Sequence, residues 1–399
     1  MTPLRLLIAV EKRARHRWPP HDSTVMPMLP PFALERFFAR WEFVVRHVAG
    51  ASDIEPVPMS ELLTLADDEM RARWEDLRLG YTESAGHPLL RQEIASLYES
   101  VSPDQSLVFS GAEEAIFVLM HVLLQPGEHA VVTWPAYQSL HAVARSIGAH
   151  VDLLPLDRDR GWALDLARLQ RLLRPSTRLI VVNFPHNPTG ALPPREQFEA
   201  LIDLARFAGC RVLSDEVYRG LELNLDDQLP AACDRYEHAM SLGVMSKAYG
   251  LAGLRIGWIA TRDAEVLRRA AEFKDYTTIC ASAPSELLSI MALRAREVLL
   301  ERARGIVATN LDRLDEFFAA HSAEFAWQRP RGGSTAFPEL TTGEPIDDFA
   351  ESLARNEGVL LLPGTLFDYP GNHFRIGLGR ADLPDSLERI ERFLRTRSA

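Results

Sequence analysis

A chain of 399 residues that is 47% hydrophobic and 25% charged has the balance of a globular protein, long enough to bury a core in one large domain or two. Its formal net charge of −11 argues against a nucleic-acid partner, which would call for a basic face, yet leaves room for a local basic pocket around a small anion. No run approaches the roughly 18 apolar residues of a membrane span, and the three scattered cysteines, Cys210, Cys233 and Cys280, form neither a metal-binding pair nor a disulfide framework, as expected in a reducing cytoplasm.

In chain order, residues 1–28 read as a tail: an apolar stretch at 4–10 is too short for a signal segment, and a basic, irregular run follows. The tail is expected to be disordered or a misassigned start ahead of Met26 and Met28. Residues 29–60 are expected to join a small C-terminal domain, with the irregular segment 49–58 as a substrate-facing arm. From about residue 88, short apolar runs alternate with amphipathic stretches, the pattern of an α/β sheet. Strands are predicted at 106–110, His129–Trp134, 178–184, Arg211–Asp215, 240–245 and 255–260, with helices at 112–124, 138–147 and Arg195–Ala208. A helical pattern over 285–318 is predicted to bridge from a large domain, 61–300, into a smaller α+β domain, 301–399. Ligands of open α/β sheets gather at the carboxyl ends of the strands, where Gly111, Tyr137, Asn187, Asp215 and Lys247 all fall.

The basic residues number 44, of which 41 are Arg and three are Lys: Lys12, Lys247 and Lys274. A lysine amine can lose its proton and attack a carbonyl, which Arg cannot do. Lys12 lies in the tail, and Lys274 lies in the charged run Glu272-Phe273-Lys274-Asp275. Lys247 follows an apolar stretch and opens Ser246-Lys247-Ala248-Tyr249-Gly250-Leu251-Ala252-Gly253-Leu254-Arg255, whose two glycines permit close backbone approach and whose Arg255 places a fixed cation nearby.

This segment resembles the cofactor-lysine motif of the class I/II aminotransferases, pyridoxal 5'-phosphate enzymes of fold type I. The likeness extends over most of the chain from about residue 29. Asn187-Pro188-Thr189-Gly190 matches the family's NPTG turn, Asp215-Glu216-Val217-Tyr218 its D-x-x-Y, and Arg375 its substrate-carboxylate arginine. The resemblance implies a large domain with a mainly parallel sheet flanked by helices, and a smaller α+β domain. It makes Lys247 the Schiff-base anchor and proton shuttle, and Asp215 the partner of the ring nitrogen. Asn187 and Tyr218 become ligands of the phenolic oxygen, and Tyr137 the stacking ring. Arg375, with Asn187, would hold the substrate carboxylate. The phosphate would take the backbone of Gly111, Ala112 and Glu113 at a helix start, with Ser246 and Arg255. Tyr81 resembles the tyrosine that reaches the phosphate of the neighbouring subunit, which implies a homodimer. Alone, Asp215 would read as a helix N-cap, Gly111 as a plain turn and Tyr137 as core.

The sequence departs from many relatives at Val244, three residues before the lysine, where they carry a phosphate-binding hydroxyl. The implied activity is transfer of an amino group between an amino acid and a 2-oxo acid. Residues 183–188, 246–250 and 330–337 are also similar to the capreomycidine-synthase-like branch of this fold, which eliminates and cyclises a hydroxyarginine instead. A non-catalytic ligand-sensing role, as in regulators that borrow the fold, is disfavoured by the 28 residues ahead of the domain, too few for a DNA-binding module. Side-chain specificity is expected to lie in loops at 49–58, 275–280 and 365–368.

Overall fold

The computed structural model describes residues 28–398, so the expected tail, Lys12 included, lies outside the described residues except for Met28. Seven short segments carry the apolar runs of the chain: β1 (Ser106–Phe109), β2 (His129–Trp134), β3 (His150–Pro155), β4 (Thr177–Asn183), β5 (Arg211–Asp215), β6 (Ala239–Val244) and β7 (Gly257–Thr261). They form one sheet in the order β1-β7-β6-β5-β4-β2-β3. β7 runs antiparallel to β1 and β6, and the other pairings are parallel.

The strands are apolar on both faces because both faces are covered. In β4, Leu179 and Val181 enter one core with the helices Ala112–Leu123 and Ala283–Arg294, whereas Ile180 and Val182 enter a second core with the helix Arg195–Ala208. The two-residue period of a strand divides the side chains in this way, and each buried aliphatic contributes about 1.5–3 kcal/mol.

β3 was not among the predicted strands. It is an edge strand, largely half-exposed and closed by Pro155, so its residues lack the continuous apolar run of the interior strands. The helix predicted over 285–318 is two helices, Ala283–Arg294 and Arg296–Ala320. The first stops where the Arg294 guanidinium is held by Asp67, Glu69 and Glu93 at 2.8–3.0 Å, and Ala295, at φ −100° and ψ 20°, breaks the helical path.

Beyond the second helix, Thr335–Ala336, Phe374–Gly377 and Leu362–Pro363 make a small antiparallel sheet, packed with the helices Ile346–Glu357 and Leu383–Ser398. The N-terminal segment is tied to this layer. Gly50 N–H donates to Leu360 O at 2.7 Å and Glu55 N–H to Gly379 O at 2.7 Å, while Ala49 O accepts from Gly377 N–H. A Cβ at Gly377 would lie 2.0 Å from Ala51 O, so the approach requires glycine there. Lys274 is not the exposed residue its charged neighbours suggest: it is fully buried, and its Nζ donates to Ser84 O at 2.6 Å and Ile279 O at 2.9 Å.

Candidate active site

Asn183 and Asp215 are register partners at the carboxyl ends of β4 and β5. The Asn183 amide donates to Asp215 O at 2.9 Å and accepts from the Asn187 N–H at 2.8 Å, fixing the turn after β4 against the end of β5. Asp215 is buried, with one hydrogen bond from the Val217 N–H at 3.2 Å. Loss of water pushes its pKa up to about 7, against the lowering effects of that hydrogen bond and the Lys247 charge.

These ends open into a cavity of about 420 Å³. Ala112, Glu113, Tyr137, Asn187, Asp215, Tyr218, Ser246, Lys247, Arg255 and Arg375 all line it, ten of the twelve residues singled out in the sequence. Gly111 lies at its edge as the cap of the helix Ala112–Leu123, with φ 94°. A Cβ on Gly111 would sit 2.7 Å from Arg255 Nη2, so the glycine lets the guanidinium lie beside the free N–H groups of the helix start. Arg255 is itself in the left-handed region, φ 51°, and its Nη1 reaches Ser246 Oγ at 3.5 Å. Two sets of donors thus converge on one anion-sized place. The Glu113 side chain turns away to accept from Ser139 Oγ at 3.1 Å, and burial pushes its pKa to about 7.

Lys247 Nζ donates to Ser52 Oγ at 2.9 Å. Arg375, 1% exposed, donates through Nε to Gly50 O at 3.0 Å and through Nη1 to Asn187 Oδ1 at 3.1 Å, while Nη2 has no partner. The buried Tyr218 hydroxyl also has none. Two buried, orphaned donors on residues that line one cavity call for acceptors from a ligand. With the anion place at the helix start, a buried carboxylate and a lysine amine, the donor set fits a pyridine that carries a phosphate and an aldehyde. Asp215 would face its ring nitrogen, Tyr218 its phenolic oxygen and Lys247 its carbonyl carbon.

Val244 lines the cavity and offers no hydroxyl. Tyr81 does not reach the cavity of its own chain and is 90% exposed. The glycines after the lysine behave differently from each other. Gly250, at φ 67°, packs against the arm, with Val57 N–H donating to its carbonyl at 3.0 Å, whereas a Cβ on Gly253 would meet open space. Of the three loops expected to set specificity, only 49–58 lines the cavity, through Ala51, Ser52 and Asp53. Phe367 instead packs behind Arg375, 5.5 Å from the guanidinium carbon.

Sequence reasoning missed the helix Ala33–Trp41, which closes one side of the cavity with Leu34, Glu35 and Phe38, and the following Glu42. The signal was present in the apolar positions 34, 38 and 41, at helical spacing.

The sheet order, the lysine after its sixth strand and the anion place at the start of the helix Ala112–Leu123 together define a pyridoxal-phosphate enzyme of fold type I. The model of the family described as aminotransferase class I and II matches residues 62–390, and the chain belongs to that family. The cofactor that goes with this membership is pyridoxal 5'-phosphate. Among relatives, capreomycidine synthase of Streptomyces vinaceus is 31% identical over 374 residues, covering 92% of this chain and 95% of that one. A pyridoxal-phosphate-dependent aminotransferase from Streptococcus suis superposes with a TM-score of 0.87 at 32% identity, covering 93% of this chain and 99% of that one. The pyridoxal-phosphate-dependent cyclase OrfR gives 0.85 at 29% identity, covering 94% and 100%. Among the described residues no helix is long and apolar enough to cross a membrane.

Proposed function

We propose that this enzyme is an aminotransferase, moving an amino group from an amino acid to a 2-oxo acid in two half-reactions. The observation that carries the reading is the shared cavity of Lys247, Asp215 and the unpartnered Arg375 Nη2: a proton carrier and a carboxylate receptor within reach of one small molecule. Arg375 takes the substrate's α-carboxylate and, held by Gly50 O and Asn187, orients the bonds at the α-carbon. When bound, pyridoxal phosphate supplies the electron sink that acidifies the α-proton and the carbon that carries the amino group between substrates. The Lys247 amine removes that proton and returns it, with Ser52 Oγ steadying Nζ. Asp215 keeps a proton on the ring nitrogen, and Tyr218 and Asn187 donate to the phenolic oxygen beside the Tyr137 ring. The backbone of Gly111, Ala112 and Glu113, with Ser246 and Arg255, holds the phosphate, and Tyr81 of a second copy in a homodimer completes it. Buried thiols at Cys210 and Cys233 suit the reducing cytoplasm in which we place the enzyme.

Given an amino acid alone, the holoenzyme should release one equivalent of 2-oxo acid per site and then stop until a 2-oxo acid acceptor is added. Parallel double-reciprocal lines should follow, and sequential kinetics would exclude the scheme. Similarity to capreomycidine synthase and to the cyclase OrfR favours a second reading, elimination and cyclisation of the bound amino acid. Under that reading, turnover continues on one amino acid with no acceptor present.

A further inference from the structure

The cavity carries a charge pattern that chemistry at the α-carbon does not need. Glu35, Glu42 and Asp53 line it where the N-terminal helix and the arm meet. Two of these carboxylates have partners. Both Asp53 oxygens lie 3.0 Å from Arg380 Nη2, and Glu35 accepts from the Tyr137 hydroxyl at 3.2 Å. The Glu42 carboxylate, half-buried, has no hydrogen bond or ion pair among the described residues. Burial, together with the like charges of Asp53 and Glu35, pushes its pKa up against the opposing charge of Arg380, so its charged form is one that an entering cation would stabilise. Among the described residues, no group of three acidic, His or Cys side chains could hold a metal ion, which leaves an organic cation.

An independent feature fixes the other end of that molecule. Arg375, fully buried, presents an unpartnered Nη2 in the same cavity, and the charges of Asp53 and Glu35 are felt at its guanidinium. A ligand satisfying both ends carries a carboxylate for Arg375 and a cation for the acidic wall. We propose that the substrate is an amino acid with a cationic side chain, guanidinium or ammonium, received by Glu42 with Glu35. The inference rests on the reading of Arg375 as the receptor of the α-carboxylate. The cation meets a carboxylate whose neighbours repel it, so charge on the side chain is favoured over a neutral isostere. An acidic side chain is excluded by the same field.

The test titrates the holoenzyme with L-arginine against L-citrulline and with L-lysine against L-norleucine, reading the bound cofactor's absorption. Citrulline keeps nearly the shape of arginine, and norleucine keeps the four-carbon side chain of lysine without its terminal amine. At least one cationic member should bind tighter than its partner by on the order of tenfold or more, the scale of a hydrogen bond to a charged group. Glu42→Gln should shrink that preference to about threefold or less while leaving the absorption without amino acid unchanged. Equal binding of the neutral partners, or tighter binding of L-aspartate, would overturn the inference and leave aminotransfer standing. If no amino acid alters the absorption, the aminotransferase reading fails and this inference fails with it. Should Glu42→Gln not retain the cofactor, the wild-type pairs and the second variant, Glu35→Gln, decide between the same outcomes.

Discussion

The Asp215 carboxyl has been stripped of water at the end of β5, and a pKa near 7 has a consequence for stability that can be separated from catalysis. Its ordinary value is 3.8, so between about pH 4 and pH 7 the folded chain binds more protons than the unfolded one, and stability falls as pH rises through that interval. The full effect is on the order of 4 kcal/mol. Glu113 acts in the same direction, while His186, held down to about 3 by burial, contributes stability that grows as pH rises from about 3 to 6.5. Comparing Asp215→Asn with the parent cancels those other groups. Without cofactor, the variant should be more stable at pH 8 by a few kcal/mol in chemical denaturation, with the gap closing by pH 4; an equal gap at both values would refute the burial account. Lys247 is tested covalently. Borohydride should fix cofactor to the wild-type chain at Lys247, seen by peptide mass, and none to Lys247→Ala. This lysine was legible because lysine is scarce here and sits at a strand end before glycines. Its neighbour Ser52 was not, because 195 positions separate the two and only the fold joins them. Lys274 shows the converse: its charged local run hides a buried amine satisfied by two carbonyls.

At the scale of elements, the interior strands and the helices covering them were legible because burial on both faces leaves continuous apolar runs. His129–Trp134, Arg211–Asp215 and Arg195–Ala208 coincide with their predicted bounds. The edge strand β3 escaped because an edge needs no such run, and the break at Ala295 escaped because it depends on where Arg294 finds carboxylates far away in the chain. The nine-residue helix Ala33–Trp41 closes one side of the cavity. It is anchored by Leu34, which packs with Leu362 and Phe367, and by Trp41, against Ala354 and Leu360. Leu34→Ala removes about 2–5 kcal/mol of packing, comparable to what holds a short helix in place. Amino-acid affinity should therefore fall on the order of tenfold or more while cofactor content and helicity by circular dichroism are retained. Loss of cofactor in this variant would mean that the helix supports the whole site and not only its substrate side.

On the scale of the whole molecule, the proposed homodimer turns on Tyr81. Tyr81 and Tyr276 are each 90% exposed and Leu79 is 84% exposed, and their two segments meet where Ser84 Oγ donates to Asp275. On the proposed reading the chain's own phosphate donors are the helix start, Ser246 and Arg255, and Val244, which lines the cavity, adds none, so a hydroxyl brought by a second copy would have a place to act. If Tyr81 serves its neighbour, Tyr81→Ala should stay dimeric in sedimentation yet hold cofactor more weakly, by on the order of tenfold. Mixing separates this from a role within the same chain. In a heterodimer of Tyr81→Ala with Lys247→Ala, one site collects both defects and the other has Lys247 from one chain and an intact Tyr81 from its partner. Assayed at a cofactor concentration that leaves Tyr81→Ala sites largely empty, an equal mixture unfolded and refolded together should therefore show about a quarter of wild-type activity, because random pairing makes half the dimers mixed and each of these has one whole site. A tyrosine acting within its own chain would give no mixed dimer a whole site. Activity no higher than the mean of the two variants, with mixed dimers present by mass, would place Tyr81 outside its neighbour's site.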